Sequence, residues 1–400
     1  MEQPDAKHFH QMYGISKPRL AYYNADFIDY TLMTAISTAL IYLTFGPRHW
    51  MTLLGVLLAA FMIAVFPLRH GFALRMPLIL RRPQELLFML IYKIRNINRY
   101  VVLAAVLLVL ENVFIYFTPD WPHHVELMRT IGMYLFFIHF IGMTAYRTVV
   151  LVDHLRKREL VREFLMQTTW KKYLETQPSI TLQIFHAYVT GVLTHIVYLV
   201  PWYLVISYAN FSALAAPLTC VLNFVIQVKY LNIHNVLFYR EHWLGHNSEM
   251  EFLYLHGTHH DAIPSGLIGV GGNGHLEGFL RHVMGFPTQF FNPAVGFIFF
   301  TWLVKQDIDG HQYIPCIFPR RSRHFYEITQ HSMHHYGRLQ PYSFGLKTDQ
   351  PELAEEARKI TRGLPDSLAN SAKLDEQLTD FKWDNPAYRR FLDLFDKYQK

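Results

Sequence analysis

Six stretches of this chain are apolar over roughly the length, about 20 residues, that crosses the hydrocarbon core of a bilayer. They are Phe27–Phe45, Met51–Phe66, Tyr100–Phe117, Ile131–Val152, Ile180–Tyr208 and Phe211–Phe238. The second is short and stops at Pro67. Glu111 is the one charge in the third, Arg147 interrupts the fourth, and Pro201 lies in the fifth. A chain built this way is expected to be all-α, a polytopic membrane helical bundle. Composition agrees: 51% of residues are hydrophobic and only 17% charged, against about 25% charged in ordinary soluble proteins. Mean hydropathy is +0.10. That apolar content excludes intrinsic disorder. Two cysteines, Cys220 and Cys316, exclude a secreted disulfide scaffold.

Loop charge supplies an orientation. Arg69, Arg75, Arg81, Arg82, Lys93, Arg95 and Arg99 fall between the second and third runs. Arg156, Lys157, Arg158, Arg162, Lys171 and Lys172 fall between the fourth and fifth. The loops Gly46–Trp50 and Thr118–Arg129 are poor in Lys and Arg. Basic loops stay cytoplasmic, so six crossings place both termini and everything after Phe238 on the cytoplasmic side. The net charge of +6 is then read as basic cytoplasmic loops, and no nucleic-acid partner is expected. Leu86–Tyr92 is too short to span and is expected at the membrane interface.

The chain divides into an N-terminal cytosolic segment (1–26), an N-terminal transmembrane region (27–180), a region 181–345 whose part Tyr239–Gly345 is rich in His, Gly and aromatics, and a charged C-terminal helical tail (346–400). The first segment lacks the basic-then-apolar pattern of a secretory signal. In the tail, Glu352–Arg362 and Tyr388–Tyr398 space apolar and charged residues as amphipathic helices do.

The chain has 23 histidines, and eight of them fall in three clusters. These are His242-Trp-Leu-Gly-His246, His256-Gly-Thr-His259-His260 and His331-Ser-Met-His334-His335. With 23 histidines in 400 residues, one His-x-x-His-His is expected by chance roughly 0.08 times and two about 0.003 times. Spacings of three and four put the rings on one helix face, where neutral imidazoles can converge on a metal. Eight donors exceed one zinc site and suit two metals. Imidazole alone does not choose among Fe, Zn, Cu and Ni. Glu241, Glu251 and Asp261 are close enough in sequence to orient ligating rings. Isolated histidines read differently. His139, His186 and His195 are expected as hydrogen-bonded packing residues, and His8, His10, His123 and His124 as surface.

These clusters resemble the fatty acid hydroxylase/sterol desaturase superfamily of integral membrane di-iron oxygenases. The likeness runs over about Leu182–Gly345. Its first block reads Asn235-Val-Leu-Phe-Tyr239-Arg-Glu-His242-Trp243-Leu-Gly-His246, and Tyr254 precedes the second cluster. Asn235 and Trp243 stand where the family usually has Asp and Arg. The resemblance implies a helical membrane bundle under a cytosolic His-rich helical cap, which would make 181–345 a fatty acid hydroxylase-like catalytic domain. It also implies two iron ions and O2-dependent hydroxylation or desaturation of a lipid such as a sterol or fatty acyl chain. Electrons would come from a reductase or small electron-transfer protein. His242, His246, His256, His259, His260, His331, His334 and His335 would carry the metals and the catalysis. The family often uses further histidines, for which His311, in Asp309-Gly-His311, comes first, then His275, then His324. Arg320, Arg321 and Arg323 are expected to face lipid headgroups, with docking of the electron donor as the alternative. The competing classes are a metal-binding membrane transporter, whose ligands would sit at mid-membrane, and a haem electron carrier, which needs single axial histidines.

One apolar run, Phe286–Val304, lies between the second and third clusters. All three clusters must share one side of the membrane to share metals. The run is therefore expected to be a half-inserted element, bent by Pro287 and Pro293, with both ends cytoplasmic. The alternative is a second crossing within Asp261–Gly285.

Overall fold

The computed structural model describes residues 23–24, 26–70, 76–95, 99–117, 121–166, 179–185, 187–189, 191–192, 220–222, 224–226, 228, 242, 245, 251–256, 293–315, 317–320, 322, 324–325, 328–329, 331 and 393–397. Among the described residues there is no strand, and the chain is all-α. A π-helical turn, Ile28–Met33, runs directly into α1 (Thr34–Phe45). Then follow α2 (Trp50–His70), α3 (Leu78–Arg81), α4 (Pro83–Arg95), α5 (Arg99–Tyr116), α6 (Trp121–Arg156) and α7 (Arg158–Leu165). A second π turn covers Phe252–His256, and α8 covers Pro293–Gly310.

The first four apolar runs are helices at the expected positions. Helix α2 continues three residues past Pro67. A proline removes one backbone bond and need not end a helix whose apolar face is packed. Helices α1 and α2 form an antiparallel pair around Gly46, whose φ of +79° closes the turn. Only one described segment, Thr130–Arg156, is both long and apolar enough to cross a membrane; shorter apolar helices cover Tyr30–Leu43, Trp50–Ala64 and Ile180–Val189. Much of Ile180–Tyr208 and Phe211–Phe238 lies outside the described residues. Apolar side chains cover the outside of these helices. On α5, Val102, Leu103, Val106, Val109, Leu110, Val113 and Phe114 are all exposed.

Helix α3 begins after Pro77 without a cap from its own flank. The buried Asn24, fifty-five residues upstream, supplies it: Ile79 N–H donates to Asn24 Oδ1 at 2.7 Å. This satisfies one of the donors a helix start leaves open and ties the N-terminal segment to the α3–α4 corner.

The central seam is α6 against α8. On α6 the buried side chains Phe136, His139, Met143, Arg147, Val150 and His154 recur every three or four residues, which makes one continuous helix face. Opposite them, Val304 and Ile308 pack with Phe136 and Met143. His139 Nδ1 lies 2.8 Å from Thr301 Oγ1, and the Tyr146 hydroxyl donates to Asp309. The two contacts are seven residues apart on α6 and eight apart on α8, so the helices run parallel in register. His139 is the hydrogen-bonded packing residue expected of it.

Of the run Phe286–Val304, only the part from Pro293 on lies within the described residues. Helix α8 is continuous and starts at Pro293, because proline at the first helical position gives up only a donor that has no partner in any case. The helix rises about 27 Å over 18 residues. From Thr301 back to Pro293 is about 12 Å, which brings Pro293 level with Ile131, where the apolar stretch of α6 begins. The apolar part of α8 ends at Val304, and the helix is not among the described segments long and apolar enough to cross a membrane. The alternative of a second crossing within Asp261–Gly285 concerns residues 257–292. Those residues lie outside the described ones.

Candidate metal centre

Helix α8 ends at Gly310, and His311 follows at once, with its ring 5% exposed or less like those of His242, His256 and His331. The four rings meet in a chain. Ring centroids are 5.0 Å apart for His242–His256, 5.9 Å for His242–His331 and 4.6 Å for His311–His331. Four separate segments therefore deliver one imidazole each to one buried place.

Two details of packing set the cluster. His242 and Gly245 are both helical, and His256 closes the π turn Phe252–His256. These two elements approach so closely that a Cβ on Gly245 would lie 2.7 Å from His256 Cγ and 2.9 Å from its Cβ. Glycine at 245 is thus a condition of the His242–His256 contact. Two residues before His256, the buried Tyr254 hydroxyl sits 3.1 Å from Glu85 Oε2 and 3.3 Å from the Arg82 carbonyl, and can donate its one proton to either. Burial, reinforced by Glu85, pushes the phenol well above its ordinary value. Helix α4 contains Leu86–Tyr92, and through Glu85 it is hydrogen-bonded to the segment that carries His256.

His311 is held by its own helix. Its Nδ1 lies 2.6 Å from the Asp307 carbonyl oxygen and 3.4 Å from Asp307 Oδ1. A ring whose Nδ1–H is given to a carbonyl presents Nε2 as its lone-pair donor. That Nε2 is 3.1 Å from His331 Nε2. Two nitrogens on one metal at about 2.1 Å and a right angle would stand about 3.0 Å apart, so the spacing fits a shared ion. Among the described residues, no group of three or more His, Cys, Asp or Glu side chains closes on a single metal position. The four rings form an open chain, and a complete site requires donors beyond these four.

Directly beneath His311, the α6–α8 seam turns polar. Asp309, 2% exposed, accepts from Lys305 Nζ at 2.6 Å and from Tyr146. Lys305 also lies over the rings of Tyr146 and Phe318. Arg147 of α6 is fully buried, with Asp307 as a compensating charge. His154 gives its Nδ1 side to the Val150 carbonyl at 2.9 Å and lies beside Tyr313.

The end of the C-terminal tail reaches this region, while Glu352–Arg362 lies outside the described residues. Residues 393–397 are helical. Phe395 is buried against Phe325 with centroids 4.8 Å apart, Asp396 pairs with Arg320, and Lys397 reaches Glu163 at 3.3 Å. Arg320 is therefore engaged by the tail.

Of the sequence candidates, the structure brings His242, His256, His311 and His331 together. His324 rests against Phe318 at 5.4 Å, and His123 is exposed on α6. His246, His259, His260, His275, His334 and His335 lie outside the described residues. Glu251 is buried one turn before His256, while Glu241 and Asp261 are also outside. Sequence reading missed Asp307 and Arg147. The i, i+4 spacing of Asp307 and His311 on a helix could have exposed the first. No protein-family model, curated protein or solved structure matches the chain.

Proposed function

We propose that this chain is a multi-pass membrane oxidoreductase that uses two iron ions and O2 to hydroxylate or desaturate a lipid. The observation that carries the reading is the meeting of His242, His256, His311 and His331 from four segments. Each of three of them heads a sequence cluster, so His246, His259, His260, His334 and His335 follow within four residues. Together they supply the further nitrogen donors that two metals need. The resemblance of the clusters to the fatty acid hydroxylase/sterol desaturase superfamily supports iron over zinc. Bound iron would supply the activation of O2 that an unactivated C–H bond demands.

The protein's own residues do the rest. Asp307 holds His311 in the tautomer that offers Nε2. Gly245 leaves the space into which His256 packs. Deeper in the seam, Val304 and Ile308 packed on Phe136 and Met143 would keep water from the membrane side of the polar layer beneath the cluster. Apolar side chains on the outer faces of α1, α2, α5 and α6 are far more extensive than a soluble monomer shows and support a bilayer environment. Such a setting favours a substrate dissolved in lipid, approaching the histidines along the helices. His139, deep in the seam, bonds to Thr301, which argues against the mid-membrane ligands of a transporter. The parallel packing of α8 on α6 supports an element lodged against the bundle, with an apolar part, Pro293–Val304, of about 18 Å that falls short of a full crossing.

Metal analysis of the full chain purified in detergent should find about two irons per chain. Incubation with O2, a reductase and membrane lipids should yield a lipid that has gained one oxygen or lost two hydrogens. His311→Ala and His331→Ala should remove both iron and product. Retention of iron and activity by both variants would sink the reading.

A further inference from the structure

The turn that ends in His256 is gripped from two sides. In the π turn Phe252–His256, the side chains of Tyr254, Leu255 and His256 are buried. Two residues apart on a helical turn, side chains leave on nearly opposite sides. His256 goes toward Gly245, where a Cβ would come within 2.7 Å of its ring, and its centroid lies 5.0 Å from that of His242. Tyr254 goes the other way, to the corner between α3 and α4. There its hydroxyl lies 3.1 Å from Glu85 Oε2 and 3.3 Å from the Arg82 carbonyl oxygen. That corner is itself held. Ile79 N–H donates to Asn24 Oδ1 at 2.7 Å, Arg82 N–H to the Leu78 carbonyl at 2.9 Å, and Glu85 N–H to the Arg82 carbonyl at 3.1 Å. The Glu85 carboxylate is divided: Oε1 takes Arg82 Nη1 at 3.2 Å, which leaves Oε2 for Tyr254.

We propose that Tyr254 is a positioning residue for His256, anchored on Glu85 and on the Arg82 carbonyl. The hydroxyl fixes the far side of the turn, so that the near side keeps His256 pressed on Gly245 and beside His242. With phenylalanine at 254 the far side is held by apolar packing, which has no direction of its own, and the ring of His256 loses its fixed approach. The inference rests on the metal-centre reading above and goes beyond it, because it ties the placement of one ligand to the α3–α4 corner, far in sequence from all three histidine clusters.

The test uses the full chain in detergent, titrated with ferrous iron alone against a competing chelator, together with thermal melts and the visible spectrum of the cobalt(II)-loaded protein. Tyr254→Phe should hold iron about 10-fold more weakly, the low end of what support behind a ligand contributes, and shift the cobalt bands. Glu85→Ala leaves the Arg82 carbonyl as acceptor and should show a smaller change in the same direction. Glu85→Gln should behave as the parent, because its amide oxygen accepts from Arg82 while its N–H donates to the phenol oxygen, whose proton goes to the Arg82 carbonyl. A Tyr254→Phe chain with a lower melting point but parent-like iron affinity and unshifted cobalt bands would overturn the proposal, since the hydroxyl would then serve stability alone. If that variant fails to fold, the same two readouts on Glu85→Ala decide. If the parent itself holds no iron, the metal-centre reading falls and takes this inference with it. If the parent holds iron and His311→Ala releases it, while Tyr254→Phe and Glu85→Ala bind as the parent does, only the positioning role is lost.

Discussion

Gly245→Ala places one methyl group where the first two histidine segments touch. The added Cβ would meet His256 at 2.7, 2.9 and 3.0 Å, the three atoms being Cγ, Cβ and Cδ2. Ordinary carbon contacts are about 3.5–4.0 Å, so His256 or the 242–245 turn must give way by about 1 Å. His256 is 1% exposed and its ring is backed by His242 at 5.0 Å, which leaves it nowhere to swing. Overpacking of this kind costs about 1–3 kcal/mol. Alanine returns about 0.8–1.0 kcal/mol of helix propensity over glycine, so the net loss of stability is about 0–2 kcal/mol. The site should suffer more, since a displacement of about 1 Å in a reactive constellation costs on the order of 100-fold in rate. The assay is a melt beside iron content and turnover, with two other glycines as controls. Gly142 has nothing within 4 Å of its added Cβ, and Gly55 meets only the flexible tip of Ile41 at 3.1 Å. Gly142→Ala should be neutral or slightly stabilising, and Gly55→Ala mild. Parent-like iron content and turnover in Gly245→Ala would refute the close approach of His242 and His256 on which the metal centre is built.

Tyr254→Phe removes the hydroxyl that links the His256 segment to Glu85 and Arg82; a loss of about 0.5–1.5 kcal/mol is expected in a chemical or thermal melt, and no loss would mean that α4 is not anchored there. In the tail, Phe395→Ala should cost about 3–5 kcal/mol because the ring is fully buried against Phe325. Asp396→Ala, whose ion pair with Arg320 is 42% and 36% exposed on its two sides, should change the melt by no more than about 1 kcal/mol. In a background freed of Cys220 and Cys316, a cysteine at Gly285 and one at Pro319 should label from the same side of the membrane, as a half-inserted element between histidine clusters that share metals demands; labelling from opposite sides would overturn that element or the shared site.

Length and hydropathy were enough to locate the helices Ile28–Phe45, Trp50–His70, Arg99–Tyr116 and the long α6, because an unbroken apolar run has one stable backbone solution and its ends are marked by polar residues. The histidine clusters were legible for a similar reason: their spacing is a local property of helical periodicity, independent of what they touch. Tertiary structure decided the rest. That His311 joins His242, His256 and His331, while His324 lies on Phe318, depends on where α8 ends relative to α6, and no local pattern encodes that register. Pro293 shows the same limit. The sequence marks a break there, and the structure makes Pro293 the first residue of a continuous helix, a boundary that packing places to within two or three residues. Asn24 capping α3 and Glu85 binding Tyr254 link residues far apart in the chain. Each of these pairings satisfies a buried polar group whose need is visible in the sequence but whose partner is chosen by packing alone.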